Sequence, residues 1–409
     1  MATEGRVTAG STATSALESA DFVHIVTRAD GDGLAAAGLL ARTLSHRQTP
    51  FQVTTGRTIV DRTTRLTAAN RRDSRSVAVA IGPHDADDGA DQLVNLETRD
   101  RPASLAAAEL ARDLGTTPDP LLTLAGTVAA GLEPGAGETE WLLEAALERS
   151  LLERRPGVAV PTADVIDGLA HTAFCRAPWS GDVAAVEAAL ENVETDDVDA
   201  DGHRTIGSVV ALDVVGAEDA TDQAANSLAR FLHPYAIATG AEDVPGADVA
   251  PQGDRERPFT TLGGYADVLT ATAAVEPATG VALAMGHDAR TPALDAWRRR
   301  GKRAHVALDG ASTGRYDGLY VLGVDEAPLE TVARLALTYR SPEPAVLAVG
   351  TDGAAIATRE PRQLGSTLEA IARDLELGGA YDVGRRGGIL EYDGDCADEA
   401  IIATVREHL

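Results

Sequence analysis

The sequence has almost no lysine: of its 36 basic residues only Lys302 is one, and the rest are arginines. Acid outnumbers base 63 to 36, for a net charge of −27. Together these suggest a surface built for a cytosol with molar salt, where the screening length falls to roughly 3 Å and like charges hardly repel. An acidic total ordinarily argues against nucleic acid, because phosphate binding needs cationic patches. In molar salt the total is a solubility adaptation, and local arginine clusters say more. Cysteine is scarce too: Cys175 and Cys396 stand alone, with no C-x-x-C, so neither a zinc ribbon nor a disulfide scaffold is indicated. No segment approaches the ~18 uninterrupted apolar residues of a membrane span. The opening "MATEGRVTAGSTATSALESA" has no apolar signal core. The expectation is a soluble, cytoplasmic protein with no membrane partner. A P-loop is ruled out, since it needs lysine followed by Ser or Thr and Lys302 is followed by Arg303. No two histidines have the H-x-x-x-H spacing of a zinc helix.

What is present can bury a real core: 409 residues, 44% hydrophobic, enough for two or three domains. "DFVHIVT" (21–27), Phe51–Val53 and "SVAVAI" (76–81) read as strands. Leu34–Leu44, Ser104–Leu114 and Pro120–Ala130 read as helices. Such alternation implies a parallel sheet with covered faces, and ligands of such sheets bind beyond the carboxyl ends of the strands. Glu138–Arg155 reads as one long helix, and Asp182–Val193 as another. The acidic run "ETDDVDADGH" reads as a solvated loop or domain boundary, with regular structure resuming at "IGSVVALDVV" (206–215). Beyond it strands and helices mix again: "VALAMG" (281–286), "AHVALD" (304–309), "GLYVLGV" (318–324), "PAVLAVG" (344–350) and a helix at Ser366–Leu377.

Four motifs carry possible chemistry. In "RADGDG", Asp30 and Asp32 sit in a strand-to-helix loop. They suit Mn²⁺ or Mg²⁺, which prefer oxygen, and equally suit an Asx turn with a helix cap. "GASTG" (310–314) matches a nucleophile elbow, but a turn and a strand follow instead of the helix that elbow needs. "WRRRGKRAH" (297–305) either faces phosphates or is the solvent side of a helix end. "GRRGG" (384–388) either offers arginine forks to phosphate beside yielding glycine backbone, or is a surface hairpin.

Taken together, "VTRADGDGLAAAGLL", "LVNLETRDRPASLAAAELARDLG" (93–115), "HTAFCRAPWSGD" (171–182), "FLHPYAIA" (231–238), "GGYADVL" (263–269), "YRSPEPAVLAV" (339–349) and "GGAYDVGRRGGILEYDGD" resemble the DHH phosphoesterase superfamily, specifically archaeal RecJ-like proteins. The resemblance implies an N-terminal parallel-sheet DHH-type domain (1–137), a helical connector with an acidic loop (138–202), and a C-terminal α/β region with a DHH-associated domain (203–409). Active members hold two Mn²⁺ or Mg²⁺ ions with aspartates and histidines. Asp30 and Asp32 match two of those ligands, and His84 and Asp85 are the candidate remnants of others. The first-motif histidine is Arg28, the D-H-H tripeptide is missing, a later aspartate is replaced by Ala129 or Ala130, and Arg385 and Arg386 stand where the glycine-rich motif has histidine. Arg359, Arg385, Arg386, Gly387 and Gly388 are the candidate nucleic-acid contacts. The expected function is a catalytically degenerate subunit or scaffold of replication or repair. Its partners would be single-stranded DNA or RNA and an active RecJ-like paralogue or replication and repair proteins. The superfamily also contains inactive replicative-helicase cofactors. The alternative is an active Mn²⁺- or Mg²⁺-dependent exonuclease or phosphodiesterase with a remodelled site.

Overall fold

A computed structural model describes residues 12–70, 75–86, 92–96, 101–195, 199–218, 220–238, 259–361, 364–392 and 397–409. Cys396 and residues 196–198 of the acidic run lie outside them. The chain divides into two compact units. The first comprises Met1–Glu153, Ile237–Pro258 and Val268–Leu294; the second comprises Arg154–Ala236, Phe259–Asp267 and Asp295–Leu409. Both are α/β, as the sequence implies. No described helix is long and apolar enough to cross a membrane.

The first unit is built on β1 (Phe22–Arg28), β2 (Phe51–Gly56), β3 (Ser76–Ile81) and β4 (Leu93–Leu96), in the order β2-β1-β3-β4. All pairs are parallel, with Val23 opposite both Phe51 and Val77. β1 is buried from Val23 to Thr27 and β3 along its whole length, because helices cover both faces of a parallel sheet. Helix Gly31–His46 follows β1 and is buried nearly all round. It packs against helices Ala103–Asp113, Pro120–Ala129 and Pro277–Ala284. Its small residues allow this: a methyl on Gly38 would stand 2.6 Å from the Ala284 side chain. Leu34, Leu39, Leu40 and Leu44 fill the remaining space, each contributing about 1.5–3 kcal/mol by burial.

β5 (Leu152–Arg154) and β6 (Tyr235–Ile237) form a short ribbon. The second unit's main sheet contains β7 (Ser312–Tyr316), β8 (Leu319–Gly323), β9 (Ala345–Gly350), β10 (Gly353–Thr358), β11 (Tyr381–Val383) and β12 (Gly387–Glu391), ordered β11-β12-β10-β9-β8-β7. Only β8 and β9 run parallel; the other pairs are antiparallel. Side chains alternate across it. Val346 and Ala348 pack with Val332 and Leu335 of helix Leu329–Tyr339. Ala345, Leu347 and Val349 pack with Leu368, Ile371 and Val405 on the other face.

Three sequence expectations change. Glu138–Arg155 is not one helix: a 3₁₀ turn at Gly137–Thr139 leads into Glu140–Glu148, Ser150 turns the backbone to φ +52°, and β5 follows. The end of the acidic run is not loop, because Asp199 caps helix Ala200–Val215 through the backbone N–H groups of Asp201 and Gly202. The runs at 281–286 and 304–309 lie largely in helices Pro277–Ala284 and Arg290–Gly310, since short apolar runs do not distinguish helix from strand.

Candidate functional site

In the order β2-β1-β3-β4 the chain leaves β1 to one side and returns to the other, so the carboxyl ends of β1 and β3 flank the switch point where such sheets bind ligands. "RADGDG" leaves β1 here, and Gly82–Asp85 leave β3. The sequence therefore brings its motif to the expected edge, but other work occupies the side chains.

Asp30 is the N-cap of helix Gly31–His46, its Oδ1 accepting the Gly33 N–H at 2.7 Å. Its other oxygen lies 3.3 Å from the Arg28 guanidinium. Arg28 also fills space at the switch point: a methyl on Gly82 would stand 3.0 Å from the Arg28 Cβ, and Gly82 itself has φ +103°. Asp32 is 8% exposed and caps a different helix. Helix Ala103–Asp113 starts after Pro102, which has no side-chain acceptor to offer. Asp32 replaces it, Oδ2 accepting the Ala103 N–H at 2.6 Å and Oδ1 the Ser104 N–H at 3.0 Å. Burial, reinforced by the neighbouring Asp30, lifts the Asp32 carboxyl to about 7 against the downward pull of the Ser104 and Ala103 hydrogen bonds. Ala129, one of the two positions assigned to the lost aspartate, lies beside this loop. A methyl on Gly31 would stand 2.8 Å from that of Ala129.

His84 Nδ1 accepts the Ala86 N–H at 3.2 Å, and the exposed Asp85 donates its backbone N–H to Thr63 Oγ1 at 2.9 Å. The four candidate metal ligands thus share one edge of one sheet. Among the described residues no three His, Cys, Asp or Glu side chains converge as a metal cage. These residues do not fit a two-ion Mn²⁺ or Mg²⁺ site, which needs ligands enough for two ions about 3.5–4 Å apart. Sequence reasoning missed Arg62. Only 1% exposed, it clamps this edge through Nε to the Pro83 carbonyl at 2.7 Å and Nη1 to the Gly56 carbonyl at 3.0 Å. Nothing in an amphipathic helix sequence marks one arginine as buried.

In the second unit, "GRRGG" is the β11–β12 hairpin, closed by Gly384 N–H to the Gly387 carbonyl at 2.7 Å. Arg386 returns its carbonyl to the Thr358 N–H at 2.7 Å, which places Arg359 beside the turn at one end of the sheet. Arg359 Nη2 donates to the Ser341 carbonyl at 3.2 Å, while its Nε and Arg385 Nη1 are sealed without a hydrogen-bond partner among the described residues. Arg386 is exposed. The glycines serve packing: a methyl on Gly388 would stand 2.2 Å from Leu368 Cδ1, and one on Gly387 2.5 Å from the Ile356 carbonyl oxygen.

"WRRRGKRAH" sits in the middle of helix Arg290–Gly310, not at its end. Trp297, Arg300 and His305 face inward; Arg299, Lys302 and Arg303 face out. Arg298 grips Asp167 through two bonds of 2.9 Å. His305 is fully buried, with Nε2 2.9 Å from the Thr172 carbonyl and Nδ1 3.4 Å from Arg176 Nη1. Its Nε2 therefore donates and its Nδ1 accepts. Burial pushes this imidazole down to about 4, the Thr172 bond opposing and Arg176 adding to the shift. A depressed histidine contributes stability above its unfolded value near 6.5 that is lost as pH falls toward 4, up to about 3 kcal/mol. Urea midpoints of the protein and of His305→Asn at pH 7.5, 5.5 and 4.5 are expected to converge as pH falls. A constant difference would contradict the neutral, buried imidazole.

With this geometry in view, one sequence relative decides the family. The "Uncharacterized protein rrnAC1427" of Haloarcula marismortui is 39% identical over 363 residues, spanning 88% of this chain and 86% of the relative. The chain belongs to the rrnAC1427 family. Residues 311–407, from β7 to the last helix, match the model of the rrnAC1427 C-terminal domain. Among solved structures, CDC45 from Entamoeba histolytica superimposes at TM-score 0.58 with 8% identity, covering 94% of this chain and 95% of that one. The exonuclease RecJ bound to manganese gives 0.46 at 15% identity, over 98% of this chain and 93% of that one. The first likeness extends along nearly both chains and is one of fold.

Proposed function

We propose that this protein is a RecJ-like, single-stranded nucleic-acid-associated protein of replication or repair, acting as a non-catalytic subunit or scaffold. One observation carries the reading: both motif aspartates hold helices in place, Asp30 its own and Asp32 a distant one. Arg28 at 3.3 Å from Asp30 supplies the positive charge a metal would otherwise bring. Mn²⁺ or Mg²⁺ would then be bound weakly, with most of its waters retained. Arg359, Arg385 and Arg386 are the phosphate contacts, three guanidinium groups at one sheet end of which Arg386 is exposed and the other two part-exposed. Gly387 and Gly388 support that turn from beneath. The partner is an active RecJ-like paralogue or another replication or repair protein.

The test offers 5′-labelled single-stranded DNA and RNA with Mn²⁺ in molar KCl, beside an Asp30→Ala control. No turnover is expected. Degradation that disappears in the control would establish the alternative, a remodelled metal-dependent exonuclease. Fluorescence anisotropy with Arg385→Ala/Arg386→Ala is expected to show about tenfold weaker strand binding and a shallower salt dependence. Unchanged binding at every salt concentration would remove the arginines from the interface.

A further inference from the structure

Helix Arg290–Gly310 carries the chain's densest basic run, and the fold leaves part of its outer face unused. Arg299, Lys302, Arg303 and Val306 recur at helical spacing and are all exposed. Several charges around them are already paired: Asp167 and Asp295 with Arg298, and Asp309 with Arg176. Lys302 makes no hydrogen bond or ion pair with any described residue, and Arg303 reaches only the Glu326 carbonyl, at 3.0 Å. In a chain with 63 acids for 36 bases, two adjacent cations with no carboxylate among the described residues call for a reason. Val306, one turn further on, is 58% exposed, exceeded only by Leu212 among the large apolar side chains described. A methyl on Gly181 would stand 2.9 Å from the His305 Cβ, so the segment leading to Val183, itself 40% exposed, lies against this turn of the helix.

Charge and spacing narrow what can cover this face. The cationic stretch from Arg299 to Arg303 is about 6 Å long at 1.5 Å per residue, and the exposed Asp295 and Asp309 close it at either end. A phosphate backbone running along the helix would meet one carboxylate or the other. A second copy docked on this face about a two-fold axis would set Lys302 and Arg303 against themselves. In molar salt the screening length is roughly 3 Å, so only charges in direct contact attract, and an apolar anchor must hold alongside them. The complement is a helix with a carboxylate facing Lys302 and Arg303 and an aliphatic side chain one turn away, over Val306.

We propose that the face formed by Lys302, Arg303 and Val306 docks an acidic amphipathic helix of a partner protein. The carboxylate pairs with the two cations, and the aliphatic side chain covers Val306. The inference rests on the reading of this protein as a subunit and names the partner's chemistry. It makes no use of the hairpin arginines.

Lys302 is the chain's only lysine, so reductive methylation with carbon-13, which keeps the charge, places a single side-chain reporter on this face. A displayed library of random peptides is selected on the full chain in molar KCl. Enriched sequences are expected to carry Asp or Glu three or four residues from Leu, Ile or Val. The best of them, as a synthetic peptide, should shift the Lys302 methyl resonance. Lys302→Glu/Val306→Ser, with both changes at exposed positions, should weaken that peptide by about tenfold in fluorescence anisotropy, and Lys302→Arg should leave it unchanged. The same peptide with lysine in place of its acids should not bind. No enriched acidic and aliphatic pattern, or a peptide bound equally by the double variant, overturns the docking face and leaves the subunit reading standing. Oligo-dT shifting the Lys302 resonance, with affinity lost steeply as KCl rises, assigns the face to nucleic acid and overturns the helix. Peptide binding lost in the double variant, together with turnover in the nuclease assay above, supports the dock and overturns the non-catalytic reading.

Discussion

Replacing Asp32 with alanine should destabilise the first unit by about 2–4 kcal/mol, although a glance at the motif would call it a catalytic change. The carboxylate takes both the Ala103 and Ser104 N–H groups at the start of helix Ala103–Asp113, where Pro102 has nothing to offer. Loss of a cap costs about 0.5–2 kcal/mol, and each buried donor left unsatisfied about 1–3. The penalty depends on pH. Burial holds the folded Asp32 carboxyl up at about 7, above the ordinary aspartate value of 3.8. A raised carboxyl contributes fully below the unfolded value, and the contribution fades as pH rises through the folded one. The alanine penalty should therefore be larger at pH 5 than at pH 8, by about 2 kcal/mol. Urea unfolding at both values, in matched KCl, measures it. A change under about 0.5 kcal/mol at both would refute the capping role. Mn²⁺ raising the midpoint of wild type but not of Asp32→Ala would assign the carboxylate to a metal instead.

That role was invisible in the sequence for a physical reason. The signs of an N-cap are local, an acceptor one to three residues before the donors it serves. Asp30 obeys that rule, and the helix it caps was readable from "DGDGLAAAGLL". Asp32 serves donors 71 and 72 residues away, so only the folded chain pairs it. Arg62 is hidden likewise: the helix Ile59–Asn70 reads as half polar, yet this arginine is 1% exposed. What could be read was whatever burial writes into a continuous run. β1 and β3, enclosed on both faces, announce themselves as "FVHIVTR" and "SVAVAI", and their order places the motif at the correct sheet edge. The Glu138–Arg155 segment failed because its apolar spacing continues across Ser150, where a left-handed residue breaks the helix. The basic run at 297–305 was offered two readings, phosphate face or exposed helix end, and takes neither whole. A helix packed on its neighbours turns Trp297, Arg300 and His305 in and Arg299, Lys302 and Arg303 out within the same nine residues.

That packing makes Gly301 the position where the smallest change should do most damage. A methyl there would stand 1.8 Å from the His171 carbonyl oxygen and 2.8 Å from its carbon. The obstacle is backbone at the end of helix Val165–His171 and cannot swing aside as a side chain would. Helix Arg290–Gly310 would have to lift away. The lift would stretch the Trp297–Asp267 and His305–Thr172 bonds, each 2.9 Å, and the Arg298–Asp167 pair. Overpacking alone typically costs about 1–3 kcal/mol, and the lost buried bonds add to it, so Gly301→Ala should cost at least about 3 kcal/mol or prevent folding. Gly310, in the same helix, has nothing within 4 Å of an added methyl and no positive φ. Gly310→Ala should therefore stabilise by about 0.4–1 kcal/mol, through the entropy removed from the unfolded chain. The two variants make the same chemical change in one helix with opposite expected signs. Helix propensity cannot produce that difference, since it favours alanine at both places. Unfolding midpoints in molar KCl decide it, and a Gly301→Ala protein as stable as wild type would mean that the close approach to His171 does not exist.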